Sequence, residues 1–127
     1  MATILIVDDR PSNRSYLAAL LGYTGHRLLE AEDGAEALAM TRAERPDLII
    51  TDYRMPAMDG ADLARAVRSI PHCLHTPVIV ITAYDEPNFR LRALEAGASD
   101  FVQTPIRHSE FQGRVRAMLE GSAQPAV

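Results

Sequence analysis

The sequence predicts an α/β fold: a doubly wound, five-stranded parallel sheet with helices on both faces. Short apolar runs bounded by polar and turn residues are typical of buried parallel strands, and here they alternate with segments of helical periodicity. The chain has 127 residues, of which 47% are hydrophobic, which suits one domain with a single core. We expect this domain to cover residues 1–120, followed by a flexible tail over residues 121–127.

The first part of the chain predicts two strands with a helix between them. The strands cover residues 3–7 and 27–31. The helix begins at Ser12 or Asn13, carries leucines at helical spacing and is ended by Gly22 and Gly25.

The middle of the chain predicts a helix, a strand and a second helix. The first helix covers residues 35–44 and is stopped by Pro46, and the strand covers residues 48–51. A turn at residues 59–60 leads into the second helix. The spacing of its apolar residues is that of a stripe packed on a sheet, and these are Leu63, Ala66, Val67 and Ile70.

The last part of the chain predicts two further strands and two helices. A strand at residues 78–81 precedes a helix at residues 87–96, with Gly97 just past its end. The fifth strand covers residues 101–103. The last helix has its apolar positions at Phe111, Val115, Met118 and Leu119.

Charge and cysteine content argue against several classes of protein. The net charge of -4, without a basic stripe, disfavours a nucleic-acid-binding surface. The lone Cys73 allows no internal disulfide and fits a reducing compartment. No apolar stretch approaches the ~20 residues of a membrane helix, and the N-terminus lacks the charged front of a signal peptide. We therefore expect a cytoplasmic protein with no membrane partner.

Polar side chains, three of them aspartates, follow predicted strands at their carboxyl ends. Asp8 and Asp9 follow the first strand, Asp52 the third, and Thr82 the fourth. Functional groups in an open parallel sheet gather at this edge, so these side chains should converge. Most aspartates in such loops are helix caps or turn residues, but three converging carboxylates repel one another unless a cation is bound. Carboxylates suit Mg²⁺ or Mn²⁺, and an aspartate can also form an acyl phosphate.

Four segments resemble the response-regulator receiver domain. They are residues 7–11 (VDDRP), 47–60 (DLIITDYRMPAMDG), 81–83 (ITA) and 96–101 (AGASDF). The resemblance covers essentially the whole chain in the family's order and spacing, and the pattern D-x-x-M-P-x-M-D-G is highly specific. It implies a flavodoxin-like sheet with strand order 2-1-3-4-5.

The resemblance implies an acceptor and a metal site. Asp52 corresponds to the phosphoacceptor. Asp9, Asp52 and the backbone carbonyl of Arg54 would hold Mg²⁺ (or Mn²⁺) directly, with Asp8 acting through water. Such a site stabilises the charge on a transferring phosphoryl group by positioning and electrostatics.

The resemblance also implies residues that switch the conformation and tune the rates. Thr82 and Phe101 correspond to a switch pair, in which the hydroxyl moves towards the phosphoryl group and the ring turns inward. Arg54 and Tyr84 lie two residues after Asp52 and Thr82. They border the path of water and phosphodonor, so we expect them to tune the rates.

One position departs from the family pattern. The family usually has Lys-Pro after the fifth strand, and this chain has Thr104-Pro105. Threonine donates a neutral hydrogen bond and brings no charge, so the catalytic group Asp52, Thr82 and Thr104 lacks the usual ammonium. We expect Thr104 to weaken the coupling of phosphorylation to conformational change more than phosphorylation itself. The Thr104–Pro105 bond is expected to be cis, as the family's usually is.

Two functions follow from this pattern, and the first is favoured. It is a stand-alone receiver, not an enzyme, that assists its own phosphorylation and dephosphorylation. A sensor histidine kinase or a histidine phosphotransfer protein would phosphorylate Asp52, and the receiver would then switch binding to a downstream protein target. The alternative is a pseudo-receiver, a protein-interaction module with weak or no phosphorylation because of Thr104. A hydrolase of aspartyl-phosphate type is disfavoured, since no cap domain or substrate-binding insertion is visible.

Output is expected through a face made by the fourth helix, the fifth strand and the fifth helix. This face carries Phe101 and three arginines, Arg90, Arg92 and Arg114. It could also support a symmetric homodimer.

The segment at residues 72–75 (His-Cys-Leu-His) is the remaining metal-like motif. It precedes the fourth strand, which places it at the opposite end of the sheet from the aspartates. No further cysteine completes a zinc site, so we expect no metal role for it.

Overall fold

The computed structural model describes residues 1–83 and 87–123, and within them five parallel strands alternate with five α-helices. The strands are β1 (Thr3–Val7), β2 (Arg27–Ala31), β3 (Leu48–Asp52), β4 (Val78–Thr82) and β5 (Asp100–Gln103). The helices are α1 (Pro11–Leu21), α2 (Gly34–Glu44), α3 (Gly60–Arg68), α4 (Pro87–Glu95) and α5 (His108–Ala123).

The strands form one sheet in the order β2-β1-β3-β4-β5, which confirms the predicted fold class. Val7 lies beside Thr51, and Asp52 lies beside Ile81 on the next strand. Because the strands are parallel and in this register, their carboxyl ends form one edge of the sheet. The residues that follow β1, β3 and β4 therefore start from neighbouring positions.

Alternate strand residues supply two apolar layers, one on each face of the sheet. Leu5, Ile49 and Val80 belong to the layer packed against α2, α3 and α4. Ile6 and Ile50 belong to the layer packed against α1 and α5. This alternation follows from the two-residue period of a strand, and it explains why the strand sequences are apolar throughout.

The start of α1 differs from the predicted one. α1 begins at Pro11 rather than at Ser12 or Asn13, because the fixed φ of proline suits the first helical position. Gly22 stays right-handed in a short 3₁₀ turn, and the left-handed residue that closes this segment is Gly25, with φ +78°. The first helix thus starts earlier than predicted, and it ends at the two glycines as predicted.

The apolar face of α3 is rotated from the predicted stripe. Ala64 is fully buried, whereas Ala66 is half-buried, so the inward face is Leu63, Ala64 and Val67. Ile70 is buried as predicted, but it lies beyond the last residue of the helix.

The last helix extends to Ala123, so Gly121 is helical. The remainder of the predicted tail, residues 124–127, lies outside the described residues.

Candidate functional site

Three aspartates meet at the carboxyl edge of the sheet. Asp8 and Asp9 follow β1, and Asp52 is the last residue of β3. Each offers a carboxylate oxygen, and these oxygens all lie within 4.8 Å of one another. The predicted convergence is therefore present. Hard oxygen ligands in such a cluster have the chemistry that a Mg²⁺ or Mn²⁺ site requires.

The first of these aspartates is buried and held by its own loop. Only 3% of Asp8 is exposed, and the Arg10 backbone N–H donates to its Oδ1 at 2.9 Å. Burial raises the pKa of Asp8, while the Arg10 amide and the Asn13 side chain act in the opposite direction. The carboxylate is thus fixed in place by donors close by in the chain.

An arginine of α1 fixes the backbone at the same point. The Nη1 group of Arg14 donates to the Asp8 carbonyl at 2.7 Å, and its Nε group to Glu30 Oε1 on β2 at 3.2 Å. The Arg14 side chain is largely buried, with 15% exposed. It joins α1 to two strand ends, so it stabilises the loop that carries the acidic pair.

The carboxyl group of Asp52 has a pKa raised to about 7. Burial is the largest cause, followed by the negative charge of Asp8, and Asp9 adds to the rise. The charge of Arg10 acts in the opposite direction. Without a bound cation, the cluster therefore disfavours the ionised form of Asp52.

The loop after Asp52 returns the chain tightly to the sheet. The Gly60 N–H donates to the Tyr53 carbonyl at 2.7 Å. A Cβ atom at Gly60 would lie 2.7 Å from the Asp52 carbonyl oxygen, so only glycine fits this approach. Asp59 and Asp62 then form a reciprocal capping box at the start of α3.

Of the residues predicted to respond to the phosphoryl group, Thr82 is the last residue of β4 and Phe101 lies within β5. Thr82 is 1% exposed, and its carbonyl accepts a hydrogen bond from the Thr104 N–H at 2.9 Å. The Thr104–Pro105 bond is cis, as predicted. Phe101 is half-buried and packs against the apolar layer beneath α3 and α4.

A cavity of about 360 Å³ opens beside the aspartates. Two of them, Asp8 and Asp52, line it together with the predicted Arg54 and Thr104. The other lining residues were not assigned to this site from the sequence, and they include Arg10, Asn13, Tyr16 and Ile106.

Two of these unassigned residues, Asn13 and Tyr16, have a spacing in the sequence that indicates a shared position. Asn13 and Tyr16 lie three residues apart on α1, so one face of this helix reaches the cavity. The Tyr16 hydroxyl also lies 3.1 Å from His108 Nε2 at the start of α5, which links the two helices at this end. Helical spacing could have indicated the shared face, but not which cavity it lines.

Three further candidate residues, Arg54, Tyr84 and Cys73, differ in their location. Arg54 is exposed and lines the cavity. Tyr84 lies outside the described residues, so its tuning role stays a prediction. Cys73 is fully buried beside the start of β4, and in the described residues the three aspartates are the one group placed to hold a metal ion.

Across residues 1–83 and 87–123, none of the helices has both the length and the apolar character that crossing a membrane requires.

Comparison with known proteins identifies relatives of this chain. The sequence matches the family described as response regulator receiver domain over residues 4–116. It is 41% identical over 117 residues to response regulator PleD of Caulobacter vibrioides, in an alignment that covers 92% of this chain and 26% of PleD. The chain therefore spans about a quarter of that relative's length.

Solved structures of receiver domains are also similar to this chain. The signal receiver domain of a signal transduction histidine kinase from Syntrophus aciditrophicus superposes with a TM-score of 0.90 at 35% identity, over 99% of this chain and 96% of that chain. The receiver domain of sensor histidine kinase PA1611 from Pseudomonas aeruginosa PAO1 gives a TM-score of 0.86 at 29% identity, over 94% and 98% of the two chains. That structure has a magnesium ion coordinated in its active site cleft.

Proposed function

The chain belongs to the response regulator receiver domain family, and on that premise we propose that Asp52 accepts a phosphoryl group from a histidine kinase or a histidine phosphotransfer protein. The observation that carries the proposal is the cluster of three carboxylates, with Asp52 at the end of the central strand. We infer that phosphorylation then changes the binding of a downstream protein target.

The donor set of the cluster fits a hard divalent cation. In the proposed site the carboxylates of Asp9 and Asp52 and the carbonyl of Arg54 bind Mg²⁺ (or Mn²⁺), and Asp8 acts through water. The bound cation would neutralise carboxylate charge and bind phosphoryl oxygens. The raised pKa of Asp52 supports a cation, because a cluster that disfavours its own ionised form needs positive charge to hold it at neutral pH.

The chemical step proposed is a phosphoryl transfer to oxygen. A carboxylate oxygen of ionised Asp52 attacks the phosphorus of a phosphohistidine. The new O–P bond forms as the P–N bond breaks, and the leaving imidazole nitrogen takes the electron pair and then a proton. The Thr82 hydroxyl would donate to a phosphoryl oxygen, and Phe101 would turn inward in response.

The second candidate function is the pseudo-receiver, and Thr104 is the observation that favours it. Thr104 lines the cavity that contains Asp52, so the missing ammonium concerns the site itself. If phosphorylation does not occur, the same fold would act as a binding module through its surface.

A labelling experiment separates the two functions. The protein is incubated with acetyl phosphate and Mg²⁺, and intact mass is measured. We expect the wild-type chain to gain one phosphoryl group, and to gain none when the metal is chelated. A folded wild-type chain that gains no mass would support the pseudo-receiver.

The acceptor is tested by Asp52→Asn in the same assay. This variant should show no mass gain, because an amide oxygen cannot serve as the nucleophile. Asp9→Asn is the informative companion, since it should reduce labelling through the metal site without removing the acceptor. Labelling of Asp52→Asn at the wild-type level would show that another residue is the acceptor.

A further inference from the structure

Two positively charged side chains line the cavity that contains Asp52, as far as the described residues show. These are Arg10 and Arg54. Arg10 directly follows the acidic pair, and it lines the same cavity as Thr104. The uncharged Thr104 and the positively charged Arg10 thus line the same cavity.

Arg10 lies in the same cavity wall as two of the aspartates, Asp8 and Asp52. The side chain is exposed, and no ion pair within the described part of the chain includes it. Arg10 therefore borders the cavity of Asp52, and its guanidinium has no carboxylate partner among the described residues.

We propose that the Arg10 guanidinium binds the phosphoryl oxygens on Asp52 and so supplies the positive charge that Thr104 lacks. This inference rests on the proposed function, since it requires a phosphoryl group on Asp52. It makes Arg10 a ligand of the phosphoryl group, in addition to the metal and Thr82.

The charge balance of the site explains why such a ligand is needed. Phosphorylation replaces the single negative charge of ionised Asp52 by the roughly -1.5 to -2 units of a phosphoryl group, beside the remaining carboxylates of Asp8 and Asp9. A divalent cation offsets only part of this charge, and a threonine hydroxyl offsets none. A guanidinium is always charged, and its planar array of donors matches two oxygens of a phosphoryl group.

The backbone of Arg10 has a separate role that a substitution can preserve. Its N–H donates to Asp8 Oδ1, and its carbonyl accepts from Asn13 and Arg14 at the start of α1. Glutamine at this position keeps these backbone groups and part of the side-chain length while it removes the charge. Arg10→Gln therefore tests the guanidinium rather than the loop.

The experiment compares four proteins in two titrations followed by NMR. The proteins are the wild type, Arg10→Gln, the double variant Arg10→Gln/Thr104→Lys, and Arg65→Gln as a control that removes the same charge from an exposed position on α3. One titration uses Mg²⁺ alone. The other uses beryllium fluoride with saturating Mg²⁺, as a stable mimic of the phosphoryl group.

The proposal predicts opposite effects in the two titrations. Arg10→Gln should weaken binding of the beryllium fluoride mimic about tenfold, because a charge-assisted hydrogen bond is lost. It should leave Mg²⁺ binding unchanged or tighter, because the cluster becomes more negative. The ammonium that Thr104→Lys introduces in the double variant should restore binding of the mimic, and Arg65→Gln should match the wild type in both titrations.

Other outcomes would overturn the proposal in distinguishable ways. If Arg10→Gln binds the mimic as the wild type does, Arg10 is not a phosphoryl ligand. If it loses Mg²⁺ and the mimic in parallel, its role is in the metal-binding loop. If the wild type binds no mimic and gains no mass from acetyl phosphate, the proposed function itself fails, and this inference fails with it.

Discussion

The carboxyl group of Asp52 links the stability of the protein to its function. Its pKa is raised from 3.8 to about 7, mainly by burial and then by Asp8. At a pH between these two pKa values, the folded chain keeps a proton on Asp52 that the unfolded chain has released. The stability contributed by this group therefore falls as pH rises through the window, and the loss is complete above pH 7.

Asp52→Asn should stabilise the metal-free protein, because asparagine removes the buried charge. We expect the free energy of unfolding to rise by roughly 1–3 kcal/mol near pH 8, less than the full shift would give because Asp52 is partly exposed. The gain should shrink as pH is lowered towards about 5, where the wild-type carboxyl is already protonated in the folded state. Urea unfolding in the presence of a chelator measures both effects.

The control for this measurement is Glu95→Gln, which removes an exposed carboxylate of α4. It should change stability little at either pH. A stabilisation by Asp52→Asn that did not depend on pH would contradict the burial argument. Adding Mg²⁺ should stabilise the wild type more than Asp52→Asn, because binding to the folded state alone raises stability.

At the scale of elements, the β3–α3 connection determines where Asp52 lies. Gly60 begins α3 with its Cα against the backbone of the strand end, and a Cβ atom there would meet the Asp52 carbonyl at 2.7 Å and the Tyr53 Cα at 3.0 Å. Both neighbours are backbone atoms, so they cannot move aside as a flexible side chain would. The start of α3 and the end of β3 are thus packed as one unit.

Gly60→Ala should therefore be destabilising, by roughly 1–3 kcal/mol, as overpacking in a close-packed region usually is. The matched substitution is Gly113→Ala on α5, where a Cβ atom would meet nothing within 4 Å. There alanine should stabilise by up to about 1 kcal/mol, because glycine in a helix interior has a larger entropy loss on folding. Thermal or urea unfolding of the two variants gives the comparison, and a neutral Gly60→Ala would show that α3 can shift freely.

Over the whole molecule, a continuous path of contacts connects the acid cluster to the proposed output face. Tyr53, next to Asp52, stacks its ring on Phe89 of α4 with centroids 4.5 Å apart. α4 also exposes two large apolar side chains, Leu91 at 56% and Leu94 at 41%. These two leucines lie three residues apart on α4, which is part of the proposed output face.

Beryllium fluoride with Mg²⁺ should therefore cause chemical-shift changes that extend from the cluster to α4, β5 and α5. Phe101, Arg90 and the Arg114–Asp100 pair, whose closest atoms lie 2.7 Å apart, are the reporters on this face. Asp52→Asn is the control and should show no changes beyond those caused by the metal. Changes confined to the cluster would favour the pseudo-receiver. Sedimentation of the same samples tests whether the face forms a homodimer.

Much of the site could be predicted because parallel strands place their carboxyl ends at one edge. The apolar runs that precede Asp8 and Asp52 located β1 and β3 closely, and the two ends then had to be neighbours. The position of Thr104 relative to Thr82 followed in the same way from β4 and β5. Helix faces were less predictable. On α3, alanines at two positions fit a helical stripe, and packing against the sheet selected Ala64 rather than Ala66.

The sequence by itself determined the α/β architecture and the gathering of the three aspartates, because both depend on local pattern and on strand order. Its resemblance to the receiver family added that Thr104 stands where that family usually has a lysine. Only the tertiary structure decided the pKa of Asp52, the burial of Asp8 and the place of Arg10 in the cavity. Burial and electrostatic interaction depend on distances through space between groups far apart in the chain. No periodicity along the sequence records those distances, so they are fixed only when the helices pack against the sheet.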